Sequence, residues 1–161
     1  MKRLCLAAVL MFMPALVHAQ DETPCAAQAP LPDYATGFDT PAAFTGDGTM
    51  VTTGLAVKLK LAPIETVTGL VDEQPKAGTF AGTATLVITA PGAYGIAASA
   101  GAWLDVVQNG KPLTSTDHAH VDCSAIHKIV YFDLTPGLYG LQVSNAPKDS
   151  LTVMLFRKPA G

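Results

Sequence analysis

The chain has 161 residues, of which 49% are hydrophobic and 14% are charged, and its formal net charge is −3. This length suits one ordinary domain with a hydrophobic core. The acidic balance and the lack of any run of basic residues exclude nucleic acid and anionic membrane surfaces as expected partners.

The N-terminus has the pattern of a secretory signal peptide. Lys2 and Arg3 precede an apolar run from Leu4 to Leu16, and Val17-His18-Ala19 is a small-x-small cleavage pattern. The apolar run is short for a bilayer span, so no transmembrane anchor is predicted. We expect residues 1–19 to be removed. The loss of two basic residues takes the formal net charge from −3 to −5, and the mature chain is expected to be periplasmic or secreted.

The N-terminal arm, residues 20–48, is rich in Pro, Ala, Thr and Asp and has no sustained hydrophobic period. It contains Cys25, one of the two cysteines that remain after cleavage, and the other is Cys123. An even pair of cysteines in an oxidising compartment predicts a disulfide. This bond would link the arm to the C-terminal half of the chain, and Cys123 would then be neither a thiolate ligand nor a nucleophile.

Residues 49–161 have the pattern of a β-domain. Apolar residues alternate with lysines between Leu55 and Leu61, which is typical of a half-buried strand. Further segments of strand type are Thr83–Thr89, Ala93–Ser99, Ala102–Val107, Ile126–Leu134, Leu138–Ser144 and Leu151–Phe156. The turn signals between them are Pro91-Gly92, Asn109-Gly110, Pro136-Gly137 and Asn145-Ala146-Pro147. No stretch has a helical stripe, so we predict an all-β fold, an antiparallel β-sandwich of the jelly-roll or Ig-like kind.

One short motif occurs twice in the β-domain. Pro91-Gly92-Ala93-Tyr94-Gly95 is matched by Pro136-Gly137-Leu138-Tyr139-Gly140. The simpler interpretation is a pair of similar hairpin turns, in which Pro fixes one φ angle and Gly supplies a positive one. An ancient internal duplication is the alternative.

The three histidines beyond the leader lie close together in the sequence, at His118, His120 and His127. On an extended strand, His118 and His120 would project from one face roughly 6 to 7 Å apart. Neutral imidazoles suit copper and zinc, and His127 could supply a third ligand if the chain reverses before it. Asp117 and Asp122 are available as oxygen ligands or as acceptors that orient the imidazoles. The alternative is a solvated polar loop beside the disulfide.

Trp103 is the single tryptophan of the chain. We expect it to pack in the core, because a small sandwich needs large residues inside. The alternative is an exposed platform on which a sugar ring stacks. No Gly-x-Ser-x-Gly nucleophile elbow and no phosphate-binding glycine-rich loop is present, so hydrolase chemistry and nucleotide cofactors are not expected.

Several segments of the C-terminal half together resemble small exported proteins of Gram-negative bacteria. They are Ala102–Lys111, His118–Cys123, Ile126–Val130 and Pro136–Gln142. That family has no established activity, although some members carry the label homogentisate 1,2-dioxygenase. Enzymes of that name use a two-His, one-carboxylate iron site in a much longer cytoplasmic chain, so the resemblance implies an exported β-sandwich without that activity. The Pro-Gly-x-Tyr pattern is also similar to β-sandwich domains appended to secreted peptidases and carbohydrate-active enzymes, which are mainly accessory or binding modules.

Together these patterns predict an exported, non-enzymatic binding or accessory protein that binds copper or zinc through His118, His120 and His127. A module that binds carbohydrate or a cell-envelope partner is the alternative. A metal-dependent enzyme such as a dioxygenase is the third hypothesis, and it requires the histidines to lie in an open cleft. Exposure of Trp103 distinguishes the first two, because the carbohydrate hypothesis needs an accessible aromatic ring.

Overall fold

The part of the chain that the structure describes folds into strands and two short 3-10 helices, at Asp33–Ala35 and Ile64–Thr66. A computed structural model describes residues 25, 27–43, 48–71 and 74–159. The strands in chain order are β1 (Ala42–Ala43), β2 (Met50–Thr52), β3 (Ala56–Lys60), β4 (Ala62–Pro63), β5 (Phe80–Ile88), β6 (Gly92–Ala98), β7 (Trp103–Gln108), β8 (Lys111–Pro112), β9 (Asp117–His120), β10 (Lys128–Leu134), β11 (Gly137–Ala146) and β12 (Ser150–Arg157).

Two sheets pack face to face, which confirms the all-β sandwich prediction. Sheet A has the order β1-β3-β12-β6-β10-β9, and sheet B has the order β2-β5-β11-β7-β8 with β4 paired to β5. All pairs of strands are antiparallel except β1 with β3 and β2 with β5. The predicted strands from Leu55 onward are present, and the alternating Ala56–Lys60 segment has the expected half-buried pattern.

The main core lies between the sheets. It is formed by residues such as Leu86, Ile96, Leu141 and Leu155, which are inaccessible to solvent. These side chains lie on alternate positions of their strands, so each strand presents one apolar face to the opposite sheet. The hydrophobic alternation of the sequence therefore positions the two sheets.

A second apolar cluster covers the outer face of sheet A. In it, Phe38 from the N-terminal arm is buried beside Ile129, Met154 and Phe156. The ring of Tyr34 stacks on that of Phe156 at 4.4 Å between centroids. The described part of the arm is thus ordered and shields apolar side chains that would otherwise face water.

The predicted disulfide between Cys25 and Cys123 is present and joins residues 98 positions apart. Such bonds persist in oxidising compartments, so the bond fits a location outside the cytoplasm. The predicted signal peptide, residues 1–19, lies outside the described residues. Within the described part of the chain, no helix has the length and apolarity needed to cross a membrane.

The two Pro-Gly-x-Tyr turns connect the sheets, so the hairpin interpretation is wrong. One turn leads from β5 in sheet B to β6 in sheet A, and the other leads from β10 in sheet A to β11 in sheet B. In both, the Tyr hydroxyl donates a hydrogen bond to a backbone carbonyl four residues earlier, at 2.7 Å for Tyr94 and 3.0 Å for Tyr139. Each tyrosine thereby closes the turn that carries the chain across the sandwich.

The pairing of the strands that flank the two repeated turns is also symmetric. β5 pairs with β11 and β6 pairs with β10, while β6 also pairs with β12 and β11 also pairs with β7. If β5 is exchanged with β10, β6 with β11 and β7 with β12, the same set of strand pairs results. This pattern is typical of an internal duplication and favours the alternative interpretation of the repeated motif.

Candidate functional site

Trp103 lies on the surface, with 57% of its area exposed, so the prediction that it packs in the core is wrong. The reason is its register on β7. Leu104 and Val106 point into the core between the sheets, and successive side chains of a strand point to opposite faces. Trp103 and Asp105 therefore point away from the main core, on the outer side of sheet B.

A cleft of about 650 Å³ opens on one side of Trp103. Its lining residues are Val71, Gln74, Lys76, Gly101, Ala102, Trp103, Asp105, Pro112 and Asn145. Both apolar and polar residues line this cleft beside the indole, which is the usual composition of a site for a small organic ligand. The cleft has a wall from strand β7 and a wall from the connector that precedes β5.

Two amides of β11 hold this connector against sheet B. The Val71 N–H donates to Gln142 Oε1 at 2.7 Å, and Gln142 Nε2 donates to the Gly69 carbonyl at 3.0 Å. The Lys76 N–H donates to Asn145 Oδ1 at 2.7 Å. These side-chain contacts with the backbone fix the connector wall of the cleft.

Asn145 was expected in a turn, but it lies inside β11. The register between β11 and β5 shifts between Val143 and Ala146, and Asn145 has a φ of 55°. Asn tolerates this left-handed conformation better than most residues. The irregularity brings the Asn145 amide to the connector, so a residue that seemed to mark a turn instead helps to build the cleft.

A second, smaller cleft of about 280 Å³ also borders Trp103. Its lining residues are Trp103, Leu104, Asp105, Leu113, Ser115, His118, His120, Lys128, Val130 and Phe132. Trp103 and Asp105 line both clefts. Side chains from β9 and β10 of sheet A meet side chains from β7 of sheet B in this smaller cleft.

Lys128 places a positive charge beside the indole. Its Nζ lies 5.2 Å from the Trp103 ring centroid and donates a hydrogen bond to the Ala102 carbonyl at 3.0 Å. Burial lowers the pKa of Lys128, while the carboxylate of Asp105 acts on it in the opposite, weaker direction. The ammonium thus holds the indole by a cation–π contact and adds positive charge to the smaller cleft.

The three histidines are neighbours at the end of the β9–β10 hairpin. The ring centroids of His118 and His120 are 6.2 Å apart, and those of His120 and His127 are 5.8 Å apart. The expected chain reversal is present, and Val121 N–H donates to the His127 carbonyl at 3.1 Å across it. All three side chains are exposed. Among the described residues, no three or more His, Cys, Asp or Glu side chains are already arranged to hold a metal ion.

Asp117 occupies the opposite face of β9 from His118 and His120 because it differs from them by an odd number of residues. Its Oδ1 accepts a hydrogen bond from the His118 N–H at 2.8 Å, and its Oδ2 lies 3.5 Å from Lys158 Nζ. The carboxylate therefore orders the strand and contacts a surface lysine, which leaves the imidazoles themselves as the metal-ligand candidates on the cleft side.

Composition and spacing drew attention to the histidines and to Trp103, but not to Asp105, Gln142, Asn145 or Lys128. Their types are common on protein surfaces, and only the pairing of strands brings Asp105, Asn145 and Lys128 to the clefts and Gln142 to the connector. No protein-family model, curated protein or solved structure matches this chain.

Proposed function

We propose that this chain is an exported, non-enzymatic binding module that binds carbohydrate of the cell envelope on the Trp103 surface. The observation that carries the proposal is the exposure of Trp103, 57% of whose area is accessible between two clefts. An aromatic ring that lines a concave cleft, as Trp103 does in both clefts, is a usual component of a ligand site, where the ligand covers the ring.

The chemistry around the indole favours a sugar over a purely apolar ligand. One face of a pyranose ring carries C–H groups that stack on an indole, and its rim carries hydroxyl groups. The larger cleft is also lined by Asp105, Gln74 and Asn145, polar residues of types that form hydrogen bonds with hydroxyl groups. The mixture of one aromatic platform with a few polar groups fits this class of ligand.

The position of Lys128 supports a preformed platform. Its ammonium lies 5.2 Å from the Trp103 ring centroid, and its hydrogen bond to the Ala102 carbonyl fixes that ammonium. An indole that is already held loses less conformational freedom when a ligand binds, and this increases affinity. The disulfide and the predicted leader support an exported location, where envelope glycans are accessible.

Binding can be tested by tryptophan fluorescence, because the emission arises from one residue. Cello-oligosaccharides, chito-oligosaccharides and soluble peptidoglycan fragments are titrated separately into the protein, and pull-down with purified sacculi tests the polymer. We expect a saturable shift in emission with at least one of them. Trp103→Ala should abolish retention on the polymer, and Asn145→Ala should weaken binding by about five- to tenfold, the loss of roughly 1 kcal/mol.

Leu138→Ala is the matched control, because Leu138 is also an exposed apolar residue of sheet B, with 63% exposure, but lies outside both clefts. It should bind like the wild type. The proposal fails if no glycan shifts the emission, or if Trp103→Ala and Leu138→Ala have the same effect. If the protein retains a specific envelope protein and no glycan, the Trp103 surface is a binding site for a protein partner and the carbohydrate proposal fails.

A further inference from the structure

The histidines form a cluster that borders the smaller cleft beside Trp103. His120 lies between His118 and His127, with ring centroids 6.2 Å and 5.8 Å away. The backbone that carries them is held at both ends. β9 pairs with β10 from His120 opposite Lys128, and Cys123 in the connecting loop is bonded to Cys25.

We infer that His118, His120 and His127 bind one transition-metal ion, copper or zinc, at the edge of the smaller cleft. This inference goes beyond carbohydrate binding and does not depend on it. Neutral imidazole nitrogens favour copper, zinc and nickel over magnesium and calcium, which prefer oxygen ligands. Three imidazoles on one ion leave a coordination position open to water or to a ligand group.

The three imidazoles must rotate toward one another to share an ion. Zinc–nitrogen distances are about 2.0–2.1 Å, so two imidazoles on one ion have ring centroids roughly 5 Å apart. The neighbouring rings must each approach by about 1 Å from the observed separations, and His118 and His127, which flank His120, must turn toward the same ion. All three side chains are exposed, and the pairing of β9 with β10 holds the backbone of His118 and His120 while the rings rotate.

Because the histidines lie near Trp103, metal binding can be followed by tryptophan fluorescence. His118 and His120 line the same cleft as Trp103, and Trp103 is the single tryptophan of the chain. Copper(II) quenches nearby indole emission, whereas zinc(II) does not. An ion bound at these imidazoles should therefore quench Trp103 when it is copper and compete with that quenching when it is zinc.

The test uses the exported protein, purified without a polyhistidine tag and stripped with chelator. Copper(II) chloride and zinc(II) chloride are titrated by calorimetry and by Trp103 emission at pH 7.5. We expect one ion per chain. His120→Ala should weaken binding at least tenfold, since it removes the central ligand, and the triple variant His118→Ala/His120→Ala/His127→Ala should not bind.

Ser115→Ala is the control, because Ser115 lines the same cleft without an imidazole. It should retain wild-type affinity. Affinity no tighter than about 100 μM for both ions, about −5.5 kcal/mol, would overturn the inference, as would undiminished binding by the triple variant. Binding without quenching by copper would show that the ion lies away from Trp103 and would equally overturn it. Trp103→Ala should still give the calorimetric signal, which separates failure of this site from failure of the sugar site.

Discussion

The Nζ atom of Lys128 lies 5.2 Å from the ring centroid of Trp103, although the two residues belong to different sheets. Lys128 begins β10 of sheet A, and Trp103 begins β7 of sheet B. Their contact joins the sheets at the candidate site and holds an aromatic ring that remains largely open to water. The position of Trp103 on this surface thus depends on the Lys128 ammonium, which comes from the other sheet.

The burial of Lys128 predicts a pH-dependent stability. Burial lowers its pKa from the ordinary 10.5, so in the window just below 10.5 the folded protein has lost a proton that the unfolded chain still holds. The contribution of Lys128 to the free energy of unfolding therefore rises as the pH increases through this window. Urea unfolding of the wild type and of Lys128→Met should show the wild type gaining stability relative to the variant as the pH approaches 10.5.

The comparison with Lys128→Met separates the effect of Lys128 from that of Tyr131, which titrates in a similar pH range. Burial raises the pKa of Tyr131 from the ordinary 10.0, so this tyrosine lowers stability as the pH rises above that value, but Tyr131 is present in both proteins and cancels in the difference. A difference in unfolding free energy that stays constant between pH 8 and the ordinary lysine pKa would contradict the prediction.

The disulfide predicts a large stability difference. It closes a separation of 98 residues, which in the chain-entropy model stabilises the fold by roughly 4 to 5 kcal/mol. Cys25→Ser/Cys123→Ser should unfold at a much lower urea concentration than the oxidised wild type. Adding reductant should lower the wild-type midpoint toward that of the variant and leave the variant unchanged.

The same variant should also loosen the arm. The arm residue Phe38 is buried against sheet A, and without the bond to Cys123 the arm is held by this packing and by backbone hydrogen bonds such as those of β1 with β3. We expect hydrogen exchange at the amides of residues 33–40, measured by mass spectrometry, to be faster in the variant than in the oxidised wild type. Equal protection of the arm with and without the disulfide would contradict this prediction.

Gly95 and Gly140 occupy equivalent places in the repeated motif but should respond differently to alanine. A Cβ on Gly95 would overlap the Phe156 ring, whereas a Cβ on Gly140 would lie 3.7 Å from Val107, an ordinary contact. Gly95→Ala should lower the free energy of unfolding by about 1 to 3 kcal/mol because the ring must move. Gly140→Ala is the matched control and should change stability little, and thermal unfolding of the two proteins distinguishes them.

The two turn tyrosines should each contribute a hydrogen bond to stability. Tyr94 donates to the Ala90 carbonyl and Tyr139 to the Thr135 carbonyl, and both side chains are buried. Tyr94→Phe and Tyr139→Phe should each cost about 1 kcal/mol in chemical unfolding. Because the sites lie on opposite sheets, the double variant should show the sum of the two losses, and a strongly non-additive result would mean that the turns are coupled.

The sequence alone predicted the β-sandwich, most of its strands and the disulfide. Strand alternation, turn residues and the number of cysteines are local or compositional signals, so they are readable without knowing which strands pair. The close spacing of His118, His120 and His127 is likewise local, and the hairpin brings the rings near one another as expected.

Tertiary structure decided where Trp103 lies, which sheets the repeated turns connect and which residues surround the indole. An apolar side chain on a strand can face either side, and the choice depends on the register with neighbouring strands. Trp103 is exposed because Leu104 and Val106 take the core positions of β7. The approach of Lys128 from the other sheet and of Asn145 from an irregular strand follows from pairings between residues distant in the sequence, which no local pattern encodes.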